Sequence, residues 1–253
     1  MHRFTALGAL LWALLALTAL GAQADLSDEE LLQQMDFQRF GGYITGEAPT
    51  TSFTVEIVAQ RPDGSKQAVV QVSFHLALNL FRIDYLSPEE LVGDVFIVTS
   101  EEVFFWNPDL LEPLKVNGRF EVFGDATVAE VVGIFFQGSY AVAQRDAITL
   151  NDGAPALRLA LTATSEAVAF PRAEVTADAQ TLRPINLKLF DESGDLLHDN
   201  TFTAYAEVNG VPYFETQLLD NQIVPVNQTL LTITNIQNRE IDPATFDPTR
   251  LGG

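Results

Sequence analysis

The chain of 253 residues contains no cysteine. This absence excludes disulfide bonds, zinc–thiolate centres, iron–sulfur clusters, cysteine nucleophiles and lipid attachment through an N-terminal cysteine. Basic residues are also few, with 14 Lys and Arg against 34 Asp and Glu and a net charge of −20. Because nucleic-acid binding depends on neutralising phosphates with Lys and Arg, we expect no nucleic-acid partner.

Histidine is scarce as well, and His75 and His198 are the only two beyond the N-terminal segment. Each lies in a strand pattern, which favours a polar residue on a solvated face over a general base. No phosphate loop, dinucleotide turn, zinc-protease helix or nucleophile elbow is present. Adjacent acidic residues fall at predicted turns, where solvated charge is expected rather than metal ligands or glycosidase carboxylates. These pairs are Glu89 with Glu90, Glu101 with Glu102, and Asp191 with Glu192. We therefore expect neither an enzyme nor a cofactor or metal site.

The N-terminal segment has the layout of a secretory signal peptide. His2 and Arg3 precede an apolar run that ends at Leu20, and Ala22 and Ala24 supply the small residues of a cleavage site. We expect removal of residues 1–24, which leaves 229 of the 253 residues as one soluble, exported domain, 25–253. The alternative is a retained membrane anchor, for which the apolar run is somewhat short.

The remaining chain predicts a β-dominated α+β fold. Ser27 and Glu30 have the spacing of a capping box, which begins a helix that ends by Gly41 and Gly42. From Thr51 onward, apolar residues alternate with polar ones as in half-buried strands, and the alternation changes phase near Asn79, which indicates a turn or bulge. Further strands are predicted at about 94–99, 102–107, 145–150, 156–164, 172–177, 183–190, 196–208 and 228–237.

One internal segment has helical rather than strand periodicity. Apolar residues recur at helical spacing between Asp125, a predicted N-cap, and Gln137. Gly133 would weaken this helix and Gly138 would end it. We expect the apolar stripe to act as a lid over an apolar opening; a helix permanently buried in the core is the alternative. The stripe consists of Val128, Val131, Val132, Phe135 and Phe136.

The segment FRIDYLSPEELVGDVFIVTSEEVFFWNPDLLEPLKV, residues 81–116, resembles the outer-membrane lipoprotein-sorting proteins of the LolA-like superfamily. The shared pattern is a strand, a Pro-containing turn, a second strand, and an aromatic strand that ends in Asn-Pro. NGRFEVFGDATVAEVVG is similar to the family's following helix start, and LRPINLKLFDESGDLL and TLLTITNIQNREIDPATFDPTRL are similar to its later strands and tail. The matching positions are Tyr85, Pro88, Gly93, Phe105, Trp106, Asn107 and Pro108.

The resemblance implies an open, incomplete antiparallel barrel of about ten or eleven strands, with two or three helices forming a lid. It also implies a periplasmic carrier that shields the acyl chains of a lipoprotein or lipid during transport toward the outer membrane, with transient contacts to membrane transport proteins. An ordinary packed β core also fits the alternation. The residues predicted to line a hydrophobic cavity are Phe74, Leu76, Phe96, Val98, Phe104, Trp106, Leu187, Leu189 and Phe202.

The sequence departs from the family pattern at one point. Carriers of the best-known type place an Arg beside a Pro at the turn after the second strand, where it couples lid closure to cargo. Residues 75–79 contain neither, and Arg82 lies on the next predicted strand. Two other functions therefore stay open: a sensing or regulatory domain of the same fold that binds an envelope partner, and a hydrolase of envelope lipids, which the few histidines disfavour.

Overall fold

The computed structural model describes residues 26–43, 49–224 and 227–251, so the predicted signal peptide lies outside the described residues. The described residues form the strands β1 (Thr50–Arg61), β2 (Gly64–His75), β3 (Leu80–Ser87), β4 (Val95–Val98), β5 (Val103–Trp106), β6 (Leu114–Val116), β7 (Glu121–Phe123), β8 (Ala126–Thr127), β9 (Tyr140–Thr149), β10 (Pro155–Ala163), β11 (Arg172–Asp178), β12 (Pro184–Phe190), β13 (Leu196–Val208), β14 (Val211–Asn221) and β15 (Gln228–Asn238). Thirteen of them form one antiparallel sheet in the order β6-β5-β4-β3-β2-β1-β15-β14-β13-β12-β11-β10-β9, and β7 and β8 form a separate hairpin.

The sheet consists of two meanders that meet in its middle. The first meander, β1–β6, and the second meander, β9–β15, are joined through the antiparallel pairing of β1 with β15. The outermost strands, β6 and β9, do not pair with each other, so the sheet is curved but not closed. The predicted open antiparallel architecture is confirmed, whereas the predicted count of ten or eleven strands is wrong.

Four strands, β6, β7, β8 and β14, were not predicted from the sequence. β6, β7 and β8 contain only two or three residues each, too few for a periodic pattern. β14 pairs with β13 through register shifts between Phe202 and Tyr205, and these irregularities break the alternation of buried and exposed residues. The turn predicted near Asn79 is confirmed, because Asn79 is left-handed with φ 49° after a 3-10 turn at Leu76–Leu78.

The helix predicted to begin at Ser27 and Glu30 is confirmed as α1 (Asp28–Phe40). Its capping box is formed: the Ser27 hydroxyl accepts from the Glu30 amide at 3.3 Å, and the Glu30 carboxylate accepts from the Ser27 amide at 2.9 Å. A 3-10 turn at Gly41–Tyr43 follows. Leu31 and Met35 are fully buried, so α1 packs its apolar side into the core.

The second predicted helix is much shorter than expected. It forms α2 (Val128–Val132), with Thr127 rather than Asp125 as N-cap. The helix stops at Gly133 because this residue adopts φ 93°, a conformation that only glycine accepts readily. Residues 133–136 have no helical structure, so a helix that reaches Gln137 is a wrong prediction.

The two faces of the sheet are covered differently. The inner face carries the core cluster, with Phe53, Ile83 and Leu187 among its buried residues, and both α1 and α2 pack against it. On the outer face, the C-terminal segment lies over β3: the Arg82 guanidinium donates to the Thr245 carbonyl at 3.0 Å and pairs with Asp84 at 2.7 Å.

Candidate functional site

A cavity of about 940 Å³ lies on the inner face of the first meander. Its walls come from α1, the inner-face residues of β2–β5, the turn at 99–102, residues 115–119, α2 and residues 133–140, and the loop at 165–170 adds a wall from the second meander. This volume is at the upper end of the ~300–1,000 Å³ typical of small-molecule sites. A second, much smaller pocket beside Leu187 holds about 10 Å³.

Aromatic rings form the deep part of the cavity. Phe74 and Phe81 stack across β2 and β3 with ring centroids 4.2 Å apart. Phe135 lies over them, 6.1 Å from each ring, and packs against Phe40 of α1 at 4.5 Å. The four rings come from four separate segments, so the apolar wall exists only in the folded chain.

Residues 133–138, which we call the strap, close one side of the cavity and are fastened to α1. The Asp36 carboxylate accepts backbone hydrogen bonds from Phe136 at 2.9 Å and Gln137 at 2.8 Å. Arg39 pairs with Asp36 at 2.6 Å, donates to the Ile134 carbonyl, and lies 3.8 Å from the centre of the Phe136 ring. Most polar contacts of the strap thus come from α1, and the Thr164 hydroxyl also donates to the Gly138 carbonyl at 2.9 Å.

Burial raises the pKa of Asp36 above its ordinary value, despite the opposing influence of the Arg39 guanidinium and of the two backbone amides. A raised pKa means that the ionised carboxylate is less favourable in the folded protein than in water. The strap is therefore held through a carboxylate whose charge is disfavoured by burial and supported by Arg39 and the two amides.

Helix α2 is held by a buried polar cluster. Glu130 is 2% exposed, and its carboxylate accepts from His198 Nδ1 at 2.7 Å, from Asn200 at 2.8 Å, and from the Thr127 hydroxyl at 2.8 Å. Burial alone would raise the pKa of Glu130, but the imidazole of His198 and these hydrogen bonds lower it overall. Burial likewise opposes charge on His198, but Glu130 raises its pKa. The pair is therefore ionised in the folded state near pH 6, and it fixes α2 to β13.

The mouth of the cavity is polar on one side and apolar on the other. Charged side chains line it and form two ion pairs: Lys115 with Glu102, and Arg119 with Glu192 at 3.2 Å. Opposite them lie Leu76, 48% exposed, and Phe37, 41% exposed. A bound molecule with an apolar body and a polar end would fit this arrangement.

The structure brings six of the predicted site residues to the cavity. They are Phe74, Leu76, Val98, Val128, Val132 and Phe135. Leu76 is at the mouth rather than in the wall, because β2 ends at His75. The other inner-face residues lie outside the cavity lining: Phe96 is buried below Tyr85 and Phe105, and Leu187, Leu189 and Phe202 belong to the second meander. Val131 and Phe136 are buried in the core cluster.

The prediction was wrong for Phe104 and Trp106. In the register of β4 with β5, Phe105 is opposite Phe96 on the inner face, whereas Phe104 is opposite Ile97. Phe104 and Trp106 therefore lie on the outer face. Both faces of this strand are apolar, so alternation could not choose the phase.

The expectation for the two histidines was also wrong, since both are buried. His198 is on the inner face against Glu130, and His75 is on the outer face, 6.1 Å from the ring of Phe246 in the C-terminal segment. The acidic pairs do occupy turns, as predicted, but Glu101, Glu102 and Glu192 also line the cavity mouth.

Sequence reasoning missed Asp36, Arg39, Phe40 and Glu130. Thr127 and Glu130 have the same capping-box spacing as Ser27 and Glu30, and this signal could have identified the start of α2. No local sequence pattern predicts that Asp36 and Arg39 contact the strap, which lies about 100 residues further along the chain.

Among the described residues, no three His, Asp or Glu side chains converge in a way that could hold a metal ion. Within the same ranges, no helix is long and apolar enough to span a bilayer.

The open antiparallel sheet, with two helices against its inner face and a cavity beneath the strap, is the LolA-like fold, and the resemblance noted in the sequence is confirmed. A family model described as "Uncharacterized protein" matches residues 79–252, and the chain belongs to this family. No curated protein sequence matches the chain significantly.

Three solved structures share the fold at low sequence identity. A LolA superfamily protein from Nitrosomonas europaea is 15% identical with a TM-score of 0.76, covering 88% of this chain and 98% of its own. A DUF1329 family protein from Desulfovibrio piger is 13% identical with a TM-score of 0.71, covering 88% and 97%. A domain described as an outer membrane lipoprotein-sorting protein from Vibrio parahaemolyticus is 14% identical with a TM-score of 0.70, covering 89% and 98%.

Proposed function

We propose that this protein is a soluble periplasmic carrier that shields the acyl chains of a lipoprotein or lipid during transport toward the outer membrane. The observation that carries the proposal is the cavity of about 940 Å³, whose deep wall is made of Phe40, Phe74, Phe81 and Phe135. Each buried methylene of an acyl chain contributes about 0.8 kcal/mol, so such a cavity can retain a chain without any catalytic group. The N-terminal signal pattern and the likeness to a lipoprotein-sorting domain support the same proposal.

The lid of this carrier is the strap together with α1, rather than α2. Glu130 ties α2 to β13 through buried, charge-assisted hydrogen bonds. The strap has no regular structure and is fastened through Asp36 and Arg39. A segment that opens for cargo must be held by only a few kcal/mol, and the strap meets this condition better.

The cavity is tested by filling it. Val98→Trp places an indole on its wall, and Val92→Trp places the same group at an exposed site outside it. The carrier proposal expects native mass spectrometry to find co-purified lipid on the unaltered protein and on Val92→Trp, with little on Val98→Trp. A stoichiometric protein partner and no lipid would favour the sensing domain instead. Lipid bound equally by both variants would mean that the cavity is not the binding site.

The strap is tested with Phe135→Asp. A charge among the rings of Phe40, Phe74 and Phe81 should open the strap and abolish lipid retention while the sheet stays folded, because Phe135 is only half-buried. Circular dichroism follows the thermal transition of the sheet. If Phe135→Asp abolishes that transition, Phe135 belongs to a permanent core and the lid proposal fails.

A further inference from the structure

The charged side of the cavity mouth has more carboxylates than cations. The charged side chains that line the mouth comprise four glutamates, of which Glu102 is half-buried, and two cations: Glu101, Glu102, Glu166 and Glu192, with Lys115 and Arg119. Both cations already have carboxylate partners, Lys115 with Glu102 and Arg119 with Glu192. Within the described ranges, Glu101 and Glu166 have no ion pair, so the mouth offers free carboxylates and no free cation.

Burial indicates where the polar end of a bound molecule would lie. The aromatic residues Phe74 and Phe81 are buried at the cavity's depth, whereas Glu101 and Glu166 are exposed at its opening. An amphiphile whose chain fills the apolar part therefore presents its head group to the charged side of the mouth. An anionic head group would have to displace a glutamate from Lys115 or Arg119, but an ammonium group would meet carboxylates that have no partner.

We propose that the cavity is selective for amphiphiles whose polar end carries an ammonium group, and that Glu101 and Glu166 determine this selectivity. The inference rests on the proposed function, because it assumes that an acyl chain occupies the cavity. Glu101 precedes β5 at the β4–β5 turn and Glu166 lies in the loop after β10, so the two carboxylates reach the cavity lining from separate segments.

The test compares three probes with the same alkyl chain: a fatty amine, a fatty alcohol and a fatty acid. Each displaces an environment-sensitive fluorophore from the purified mature protein, below the concentration at which the probe forms micelles. We expect the amine to bind about three- to tenfold more tightly than the acid at low salt, the range that two exposed charge interactions supply. The preference should shrink at high salt, because exposed charges are screened.

The overall negative charge of the protein would also attract an amine, so the variants are matched in charge. Glu101→Gln with Glu166→Gln removes both mouth carboxylates. Glu56→Gln with Glu112→Gln removes two exposed carboxylates away from the cavity. The proposal expects only the first pair to lower amine affinity, with alcohol affinity unchanged in both.

A second probe pair separates the two sources of an ammonium group. Short N-acylated peptides that carry either Lys or Glu beside the acyl chain imitate a lipoprotein end, whereas the fatty amine imitates a free lipid. A cationic preference in either set supports the proposal and identifies the source. Equal binding of amine, alcohol and acid, or loss of amine binding in both double variants, overturns the charge selectivity but leaves the carrier intact. Failure of every probe to bind overturns the carrier itself.

Discussion

The two meanders of the sheet use the same strand geometry but fill their inner faces with different chemistry. The first meander presents aromatic rings, with Phe74 and Phe81 stacked at 4.2 Å, and leaves a cavity above them. The second meander places buried polar residues at equivalent depth, among them His198 and Asn200, and covers them with α2. Apolar walls tolerate an empty or exchangeable volume, whereas buried polar groups require fixed partners. The aromatic wall of the cavity thus comes mainly from the first meander, whereas the buried polar cluster that holds α2 belongs to the second.

The largest expected effect comes from removing Glu130, the buried partner of His198 and Asn200 in the second meander. Glu130→Ala leaves His198 and Asn200 buried without their acceptor, and we expect the free energy of unfolding to fall by about 3–5 kcal/mol. Glu30→Ala removes the corresponding group of the exposed capping box in α1 and should cost much less. Urea denaturation measures both. Equal losses would show that the buried cluster adds nothing to ordinary helix capping.

The next largest effect is expected at the two glycines that end the strap, Gly133 and Gly138. Gly133 ends α2 at φ 93°, and a Cβ there would lie 2.6 Å from the Phe40 ring. Gly138, at the other end of the strap, also has a positive φ of 79° but nothing within 4 Å. We expect Gly133→Ala to destabilise by about 2–4 kcal/mol and Gly138→Ala by about 1 kcal/mol. Thermal unfolding of both variants tests the comparison, and similar shifts would mean that backbone strain alone matters.

The smallest effect is a dependence on pH. The lowered pKa of Glu130 adds stability above the ordinary value of 4.5, which is lost as the pH falls through its folded pKa. The raised pKa of His198 adds stability that is complete below 6.5 and lost as the pH rises through its folded pKa.

His198→Asn keeps a donor near Glu130 but removes the titration. We therefore expect the difference in unfolding free energy between the unaltered protein and His198→Asn to be largest between about pH 4.5 and 6.5, by about 1 kcal/mol. Urea denaturation across this range measures it. A difference that does not vary with pH would show that the pair is not ionised in the folded protein.

Sequence patterns predicted the parts of the fold that depend on local chemistry. The capping box of Ser27 and Glu30, the turn at Asn79 and most long strands could be read directly, because neighbouring residues determine them. The open sheet was implied only by the family resemblance, because the strand alternation alone also fits a packed β core.

The candidate site was predictable only in part. Phe74 and Val98 were predicted from strand alternation and Phe135 from helical spacing, and all three line the cavity although Phe135 lies in the non-helical strap. Asp36 and Glu130 were missed, since each looks like an ordinary solvated carboxylate until a distant segment packs against it: Phe136 in one case and His198 in the other. The phase of β5 was undetermined because residues on both of its faces are apolar.

The pairing of β1 with β15 has a consequence for how the chain reaches this structure. Val55 is paired with Ile233, so the middle of the sheet joins residues near opposite ends of the polypeptide. A contact of such long sequence separation carries a large loop-closure entropy and is typical of slow folding. Until β15 has paired, β1 and β14 both remain unpaired edges prone to aggregation. Deleting β15 would therefore split the sheet at its centre rather than shorten it at one end.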